Sequence, residues 1–364
     1  MTEAIVEFRD PWPPHALLGS TKVNRLRYGF VLNAPGTAYF GLSRGSAQAE
    51  ANPQHFDVGT MVTIVRTDEV LPWVGYVSEI DMDVADPEWS YSCEDVAGAL
   101  FDQARTAKDW PERTTTAGTL IRDVFADAAA RAEPPLIAEL AQDIGLGPRV
   151  AYTVKAESLL GFLQHMAQLT NWEWGLRNEV AGGAVRVVLT WAERQGFDRR
   201  DETHWLQNRH FAVARLTKSA KGYLSSALAV GGAGSFAARP AAQLNATGRA
   251  DGGIDAQSSG LGRPASPALA GTRVSLHQDA TNVEALFNAA RRSLDRPPEQ
   301  IAERLTLKLA ESAIDMTKLE LGSYYTVRFS DLNLGLGYSR VIRVMGIALD
   351  QSGAVEIVPE VQRA

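Results

Sequence analysis

Short apolar runs between turn-forming residues fill the first 92 positions of this chain and set the strongest limit on its fold. Thr60–Arg66 is β-branched and apolar, and Trp73–Met82 follows it after a short gap. Runs of this length that are bounded by glycine, proline, asparagine or aspartate are typical of strands in an antiparallel sheet or barrel. We therefore predict an all-strand start, with further strands at Ile5–Phe8, Tyr28–Leu32, Ala38–Leu42 and Trp89–Cys93.

Apolar residues spaced three and four apart first appear after these strands. The spacing predicts helices at Glu94–Ala104, Thr115–Arg131 and Glu157–Leu169. A threonine before the alanine-rich second segment suits a helix start. The next two runs, Asn171–Arg177 and Ala184–Trp191, flank a glycine pair and predict a hairpin. The middle of the chain is therefore predicted to be α+β.

A glycine- and alanine-rich tract interrupts the second half of the chain. It runs from Gly231 to Thr272 and holds 9 glycines and 11 alanines in 42 residues. Such a composition buries little apolar area per residue, so we predict an extended loop there. One helix, Asn282–Leu294, is predicted after it. Strands are predicted on both sides, at Val213–Leu216, Leu224–Val230, Leu305–Ala310, Tyr324–Phe329, Arg340–Leu349 and Ala354–Val361.

Two segments far apart in the chain share one layout. Gly59 begins an apolar run, and a strand centred on Val77 comes 18 residues later. Gly322 begins a similar run, and a strand centred on Val341 comes 19 residues later. A glycine permits the tight turn that such a run needs at its start. The layout indicates two similar small barrels, although any two antiparallel meanders share this general appearance.

Charge and cysteine content exclude several classes of protein. The net charge is −7, divided as −6 over residues 1–92, −5 over 93–205 and +4 over 206–364, without the basic stripe of a nucleic-acid binder. The single cysteine, Cys93, permits neither an intramolecular disulfide nor a cysteine metal cluster, and we expect it to pack as a small apolar residue. The N-terminus lacks the features of a secretory signal, and no stretch approaches the roughly 20 apolar residues of a membrane span. We expect synthesis and folding in the cytosol.

The sequence predicts no catalytic, cofactor-binding or metal site. The run from Gly41 to Gly45 matches the hydrolase pattern around a nucleophilic serine, here Ser43, but a proline at position 53 prevents the long helix that must follow. His204 and His210 lie near acidic residues without the tight spacing of zinc ligands. The glycines that follow the strand Leu224–Val230 have no helix after them to hold a phosphate. We therefore predict no enzyme activity and no cofactor.

An acidic run leaves two alternatives open. Asp81 and Asp83 lie in a run that begins at Glu79 and ends at Glu88. A cell-wall glycosidase acting through Asp81 or Asp83 would need one desolvated acid, whereas a strand face crowded with like charges favours a solvated surface. Such a face could also form the negative wall of a channel through which DNA slides, because negative charge repels phosphates.

Tryptophans provide another alternative function. Trp172 and Trp174 could stack on a sugar, as in a carbohydrate- or receptor-binding protein. Both lie next to the predicted helix Glu157–Leu169. Packing against that helix is the favoured interpretation, because large aromatic rings contribute most when they are buried.

The order of these parts resembles that of baseplate hub proteins of tailed phages, including the N-terminal part of siphophage tail-associated proteins and the hubs of contractile injection machines. The resemblance spans nearly the whole chain and consists of layout and loose motifs. The matching segments are Val74-Gly75-Tyr76-Val77, Glu157-Ser158-Leu159-Leu160-Gly161-Phe162-Leu163, Leu169-Thr170-Asn171-Trp172-Glu173-Trp174, Ala229-Val230-Gly231-Gly232, Leu319-Glu320-Leu321-Gly322, Val341-Ile342-Arg343-Val344 and Val355-Glu356-Ile357.

The resemblance implies an α+β fold with two antiparallel β-barrel modules, similar to those of a tail tube, and an inserted α+β domain. The implied parts are a first barrel at 1–92, an insert of 93–205 with 275–302, a second barrel of 206–235 with 303–362, and a Gly/Ala-rich loop at 236–274. Many siphophage versions continue into a lysin or fibre domain, and we expect no room for a peptidoglycan-cleaving module in this chain.

The resemblance also implies a function in the virion. The chain would be a structural tail-tip hub, a homotrimer that continues the tail tube, adapts its sixfold symmetry to a threefold tip, and leaves a lumen for DNA during genome ejection. DNA would pass through without specific binding, and assembly would take place in the host cytoplasm. The implied partners are a distal tail protein, a tail tube or tape measure protein, and central fibre or spike proteins.

Overall fold

The chain divides into two compact units. The first consists of Met1–Ala214 together with Thr306–Ala364, and the second is Arg215–Leu305. Strands are the main element of the described residues, as the sequence predicts. The computed structural model describes residues 4–43, 56–68, 70–83, 86–105, 112–132, 135–154, 157–181, 183–219, 226–231, 241–245, 272–277, 302–331 and 336–362.

Antiparallel strands form the beginning of the chain. All six strands predicted there are present, and one further strand follows the first of them. β4 begins with alternating exposed and buried residues, because successive side chains of a strand point to opposite faces, whereas β5 is buried on both faces. The strands are β1 (Ala4–Arg9), β2 (Leu17–Thr21), β3 (Asn24–Val31), β4 (Thr37–Ser43), β5 (Met61–Arg66), β6 (Trp73–Asp81) and β7 (Glu88–Asp95).

The middle of the chain mixes helices and strands, which confirms the α+β prediction. Two of the three predicted helices are present, and β11 and β12 form the predicted hairpin. The elements are β8 (Arg113–Thr116), α1 (Ala117–Ala129), β9 (Ala138–Leu140), β10 (Arg149–Tyr152), α2 (Leu159–Thr170), β11 (Glu173–Ala181), β12 (Ala184–Ala192) and β13 (His204–Leu206).

The predicted helix Glu94–Ala104 was wrong at its start and is a short π-helix instead of an α-helix. Strand β7 continues through Asp95, and only a π-helical turn, Ala97–Phe101, follows. Sheet neighbours on both sides explain the difference, since Glu94 pairs with a residue of β4 and with a residue of β6. Two ladders of backbone hydrogen bonds outweigh the helical spacing of the side chains.

Side-chain caps fix the starts of both helices. Thr116 Oγ1 accepts the N–H of Thr119 at 3.3 Å, and Ser158 Oγ accepts that of Gly161 at 3.1 Å. These bonds satisfy backbone donors that have no partner within the helix. Helix α2 ends at Asn171, whose left-handed φ of 63° is typical of a helix C-terminus. The apolar faces of both helices pack in one core with Trp174 and Trp191.

Strands also dominate the described residues after position 210. Ala241–Asn245 forms a strand inside the tract predicted to be a loop, because its backbone pairs with that of a neighbouring strand. The predicted helix Asn282–Leu294 lies outside the described residues. The strands are β14 (Phe211–Ser219), β15 (Ser226–Gly231), β16 (Ala241–Asn245), β17 (Thr272–His277), β18 (Ala302–Ala310), β19 (Tyr324–Asp331), β20 (Leu336–Asp350) and β21 (Ala354–Gln362).

Three of these strands form a sheet of their own. β15 is antiparallel to β16 and parallel to β17. The other long strands belong to a 13-stranded sheet with the order β14-β18-β21-β20-β3-β4-β7-β6-β5-β1-β2, in which β19 pairs with both β20 and β13.

Strands from both ends of the chain therefore share one sheet. β20 is antiparallel to β3, from Gly346 opposite Val31 to Asp350 opposite Arg27. The strands that the structure describes form no closed barrel, so the expected pair of separate barrels is not seen among them. The domain boundaries given above stay a prediction.

The shared layout at Gly59 and Gly322 extends to individual hydrogen bonds. The N–H of Gly59 donates to the carbonyl of Val77 at 2.8 Å, and the N–H of Val77 donates back to Thr60 at 3.0 Å. Gly59 has a φ of +84°, and Gly322 has a φ of +79°. Both values lie in the left-handed region that favours glycine.

The same pair of bonds joins Gly322 to Val344. The N–H of Gly322 donates to Val344 at 2.7 Å, and the N–H of Val344 donates to Ser323 at 3.0 Å. Val344, three residues beyond the predicted Val341, is therefore the partner that corresponds to Val77. A β-bulge follows at once in each case, between Val77 and Glu79 and between Val344 and Gly346.

Strand order completes the internal repeat. In the first half of the sheet, antiparallel neighbours follow in the order β5-β6-β7-β4, and β3 pairs with β4. In the second half the matching order is β19-β20-β21-β18, and β14 pairs with β18. We name β3–β7 the first repeat, and β14 with β18–β21 the second repeat. Matching turns, bulges and strand order are specific enough to distinguish a repeat from two ordinary meanders.

Substitution by alanine should lower the free energy of unfolding by different amounts at the two matching glycines, Gly59 and Gly322. A Cβ at Gly59 would meet nothing within 4 Å, whereas one at Gly322 would lie 2.3 Å from the carbonyl oxygen of Gln195. We expect Gly59→Ala to cost about 1 kcal/mol, the left-handed penalty alone. Gly322→Ala should cost about 2–4 kcal/mol, because backbone must also move. Urea unfolding of both variants measures this, and equal losses would contradict the assigned packing.

Candidate assembly interface

One face of the 13-stranded sheet is buried at β7. The opposite face is covered at Met61, Val74 and Tyr76, which belong to the same core as α1 and α2, and is exposed beyond them. We call this exposed part the open face. In β7, Tyr91 and Cys93 are buried, whereas Ser92 and Glu94 alternate with them on the other face. Burial raises the pKa of the Cys93 thiol, as expected for a packed residue without nucleophilic activity. The open face is therefore the part of the first repeat available to a partner.

Acidic side chains concentrate on this open face. Glu79 and Asp81 of β6 lie opposite Ser92 and Ser90 of β7, and both acids are exposed. Asp83, just after β6, is exposed as well. The catalytic acid of a glycosidase is desolvated in a cleft, whereas these carboxylates are exposed to solvent. The geometry therefore favours the solvated surface over the catalytic alternative.

Strand β6 has a neighbouring strand on both sides over only the first part of its length. As far as Val77 it lies between β5 and β7, but Glu79–Asp81 pairs only with β7 among the strands that the structure describes. The matching stretch of the second repeat, which begins at Gly346, has β3 on that side. At the other end of the sheet, β14 pairs with β18 alone among the described strands, and its first residue, Phe211, also forms a single bridge with Gln207.

We call β8–β12 with α1 and α2 the inserted region. A buried ion pair connects the sheet to it. The guanidinium of Arg343 on β20 donates to both carboxylate oxygens of Glu173 on β11, each at 2.5 Å. It also donates to the carbonyls of Gly322 at 2.9 Å and Gln195 at 3.3 Å. Only 1% of Arg343 is exposed. Burial lowers the pKa of Arg343, but the hydrogen bonds and the charge of Glu173 outweigh this and raise it overall.

Arg66 is a second buried arginine that crosses between distant segments. It lies on β5 and donates to Asp68 at 2.8 Å and to Glu311 at 2.6 Å. Glu311 follows β18, so this contact joins the two repeats. The bond from Arg66 lowers the pKa of Asp68, against the opposing effect of burial.

Arg9 makes a similar connection at the other side of the first repeat. It lies on β1 and donates to Glu7 at 2.6 Å and to the carbonyl of Gly183 at 2.8 Å. Gly183 lies in the turn between β11 and β12. Nearby strand β3 is tied to β11 through Asn33, whose side chain accepts the N–H of Trp174 at 2.8 Å. The inserted region is thus fixed to the sheet at several points.

The two candidate sugar-stacking tryptophans are packed. Trp174 is 1% exposed and belongs to the same core as Leu163 of α2. Trp172 is partly buried, and its ring centroid lies 5.8 Å from that of Trp191. The favoured interpretation, packing against the helix, is confirmed for Trp174. Trp174 therefore has no open ring face on which a sugar could stack.

The candidate histidines serve the local fold. His210 Nδ1 accepts the N–H of Leu206 at 2.8 Å, and burial lowers the pKa of His210. His204 and His210 line a small pocket of about 70 Å³ with Trp205 and Lys318. Pockets for organic ligands are usually several times larger. Among the described residues, no cluster of three or more His, Cys, Asp or Glu is placed to hold a metal.

Ser43 is the exposed last residue of β4 and pairs with Glu88 of β7. Arg44 and Gly45, which complete the hydrolase-like pattern, lie outside the described residues.

Within the described part of the chain, no helix is long and apolar enough to cross a membrane.

Asp95 is a buried acid at the point where β7 ends and the inserted region begins. Its carboxylate accepts the N–H of Gly36 at 2.6 Å and that of Gly98 at 3.0 Å. Burial raises the pKa of Asp95 to about 6, and the backbone hydrogen bonds oppose this rise without cancelling it. Asp95 therefore links the β3–β4 turn to the turn after β7 at an electrostatic cost.

Solved structures of phage tail proteins match this chain over its whole length. The 43 kDa tail protein of prophage MuSo2 from Shewanella oneidensis is 12% identical, with 100% of this chain and 98% of that chain covered and a TM-score of 0.62. The prophage tail protein gp18 from Listeria monocytogenes is 9% identical, with coverages of 100% and 95% and a TM-score of 0.56.

A tail protein from Neisseria meningitidis is 14% identical, with 98% of this chain and 97% of that chain covered and a TM-score of 0.55. This chain has the fold of these tail proteins. No family model and no curated protein matches the sequence. Identities this low establish a shared architecture, whereas function has to be argued from the site.

The buried ion pair predicts a large loss of stability when one partner is removed. We expect Arg343→Met to lower the free energy of unfolding by about 3–5 kcal/mol, because Glu173 is left charged and buried. The double variant Arg343→Met/Glu173→Leu should recover part of this loss. Denaturant unfolding of the three proteins measures the coupling. The exposed pair Arg186–Glu139 is the control, and Arg186→Met should change stability little.

Asp95 predicts a pH dependence of opposite sign to that of most carboxylates. Its folded pKa of about 6 lies above the value of about 3.9 of an unfolded chain, so the folded state binds more protons between these values. The stability contributed by this group should fall by about 1–3 kcal/mol as the pH rises from 4 to 6 and then stay constant. Asp95→Asn should remove this slope in unfolding measurements, and a slope unchanged by the substitution would refute the assignment.

Proposed function

We infer that this chain is a structural component of a phage tail or of a related injection machine, and that it forms the hub at the tail tip. The internal repeat carries this proposal. One chain supplies two similar groups of strands in one sheet, so three copies supply six. A homotrimer of such chains can therefore match a sixfold tube on one side and a threefold tip on the other. The fold shared with phage tail proteins supports the assignment to a tail.

The acidic open face supports a lumen for DNA. Glu79, Asp81 and Glu94 place negative charge on the exposed side of the sheet. A wall of this charge repels phosphates and lets DNA slide without tight binding, whereas a basic wall would hold it. In this arrangement the open face lines the channel, beyond the part of the same face that the inserted region covers.

The alternatives have less support. A carbohydrate- or receptor-binding role requires exposed aromatic rings, and Trp174 is buried while Trp172 packs on Trp191. A glycosidase requires a desolvated acid in a cleft, and Asp81 and Asp83 are exposed. The proposed function is mechanical, and no catalytic residue, metal or cofactor takes part in it.

The proposed location is the tail tip of the virion, after assembly in the host cytoplasm. Neighbours above the ring would be a tail tube or tape measure protein and a distal tail protein, and central fibre or spike proteins would lie below it. These partners are part of the proposal, and each would contact a rim of the ring at which strands end.

The proposed hub predicts a ring of defined size. Purified full-length protein should sediment at three times the chain mass of 39.5 kDa. Electron microscopy should show a threefold ring with six similar wall elements around an open channel. The protein should also be found at one end of tails in particles that contain it. A chain that stays monomeric at all concentrations and is absent from particles would overturn the proposal.

A further inference from the structure

An exposed apolar loop joins β1 to β2 at one end of the large sheet. We call residues 10–17 the Trp12 loop. Its tryptophan, Trp12, is 51% exposed, and Leu17, the first residue of β2, is 53% exposed. Pro13 and Pro14 between them are exposed as well. Exposed apolar residues that adjoin one another often mark a contact with a partner, whereas single ones need no explanation.

Hydrogen bonds fix the backbone of the Trp12 loop. The N–H of Asp10 donates to the carbonyl of Ala16 at 2.9 Å, and the N–H of His15 donates to that of Trp12 at 2.9 Å. The carboxylate of Asp10 accepts the N–H of Trp12 at 2.9 Å. Positions 11, 13 and 14 are prolines, which have no N–H. The indole of Trp12 therefore projects from a fixed backbone, and less entropy is lost when a partner binds.

The turn between β11 and β12 lies beside this loop. Nη1 of Arg9 donates to the carbonyl of His15 at 3.3 Å and to that of Gly183, in the turn, at 2.8 Å. Ala181 and Ala184 of the turn are exposed, and a Cβ at Gly183 would meet nothing within 4 Å. The Trp12 loop and the turn thus form one surface, with a large aromatic ring on one part and small residues on the other.

No charged side chain belongs to the outer part of this surface. The sequence has no Asp, Glu, Lys or Arg from 11 to 21 or from 180 to 185, although 22% of the chain is charged. Of the charged groups beneath it, Arg9 is 4% exposed and bonds Glu7, and Asp10 bonds the N–H of Trp12. A charged partner would lose its hydration here without meeting an opposite charge. The surface therefore suits an apolar, uncharged partner.

The composition of this surface favours a protein over a lipid bilayer. Lys and Arg beside the apolar residues usually strengthen a contact with anionic lipids, and this surface contains neither. The small residues of the turn allow another backbone to approach closely, a fit that a fluid bilayer does not require. The cores of protein interfaces are poor in charge and rich in aromatic residues, and tryptophan is frequent among the residues that contribute most to affinity.

We propose that the Trp12 loop and the β11–β12 turn form a docking surface for a different protein, whose contact surface is apolar and uncharged. Trp12 fills a pocket of that protein, and the small residues of the turn receive its backbone. The proposal does not depend on the hub assignment. In a tail, the partner is another tail component.

Selection of displayed peptides tests the chemistry that this surface binds. Random peptides displayed on phage are selected in parallel on the full-length wild-type protein and on Trp12→Ala. Calorimetry then measures the affinity of synthetic copies for the wild type, Trp12→Ala and Ala184→Glu. The controls are Phe197→Ala, which removes an exposed ring from another loop, and Leu146→Glu, which adds the same charge at an exposed apolar position of the inserted region. Urea unfolding verifies that each variant is folded.

Peptides recovered on the wild type alone should be rich in apolar residues and poor in charged ones. Their affinity should fall at least about tenfold in Trp12→Ala, because the substitution removes the central ring of the contact. Ala184→Glu should weaken binding by a similar factor, because its carboxylate would be buried without a partner. Both controls should bind the peptides as the wild type does.

Several outcomes would overturn the docking surface. These are recovery of the same peptides on both proteins, selected peptides rich in charged residues, and an equal loss of affinity in the controls. Co-sedimentation with vesicles of phosphatidylethanolamine and phosphatidylglycerol that Trp12→Ala abolishes would identify a lipid surface as the occupant instead. Self-association that Trp12→Ala abolishes would identify a second copy of this chain.

The same experiments separate this proposal from the proposed function. A threefold ring that selects no Trp12-dependent peptide would overturn the docking surface and leave the hub proposal standing. A chain that stays monomeric and is absent from particles, but selects such peptides, would overturn the hub proposal alone.

Discussion

The antiparallel contact between β3 and β20 decides the architecture of the large sheet. It joins strands from opposite ends of the chain, with Ile347 opposite Phe30 and Leu349 opposite Tyr28. The fit is close, since a Cβ at Gly29 would lie 2.8 Å from the carbonyl oxygen of Ile347. Without this contact the two repeats would be separate meanders, each with an open edge. Such long-range pairing is slow to form, because loop closure has to come before the contacts that compensate for it.

Buried arginines stabilise the arrangement in a different way. Arg343, Arg66 and Arg9 each reach a carboxylate and a segment distant in sequence, and each is at most 4% exposed. Burying such pairs contributes little net stability, because desolvation opposes the attraction. Leaving one partner alone is costly, however. Arg343 and Arg9 therefore penalise arrangements in which the inserted region is misplaced, and Arg66 penalises those in which the two repeats are misplaced. We interpret them as fixing the orientation of parts whose apolar surfaces alone would tolerate sliding.

Local patterns in the sequence were sufficient for most elements and insufficient for their assembly. Alternation and turn residues located the strands at both ends, and the spacing of apolar residues located α1 and α2. The same spacing misplaced the helix after Cys93, because pairing partners of Glu94 lie in other strands. The contact of β3 with β20 left no local signal. The ion pair of Arg343 and Glu173 did leave a local signal in the sequence. Arg343 is a charged residue inside the apolar run from Val341 to Val344, and Glu173 is a charged residue between two tryptophans.

The two repeats share their strand order, turns and bulges, and they differ in the side chains just beyond the bulge. Glu79 and Asp81 correspond to Gly346 and Ala348, so the acidic edge belongs to the first repeat alone. In the proposed trimer this edge would occur three times around the ring, once in each copy. Divergence at these positions makes the corresponding edges of the two repeats chemically different. β3 lies beside Gly346–Asp350 within the chain, whereas Glu79–Asp81 pairs with β7 alone among the described strands.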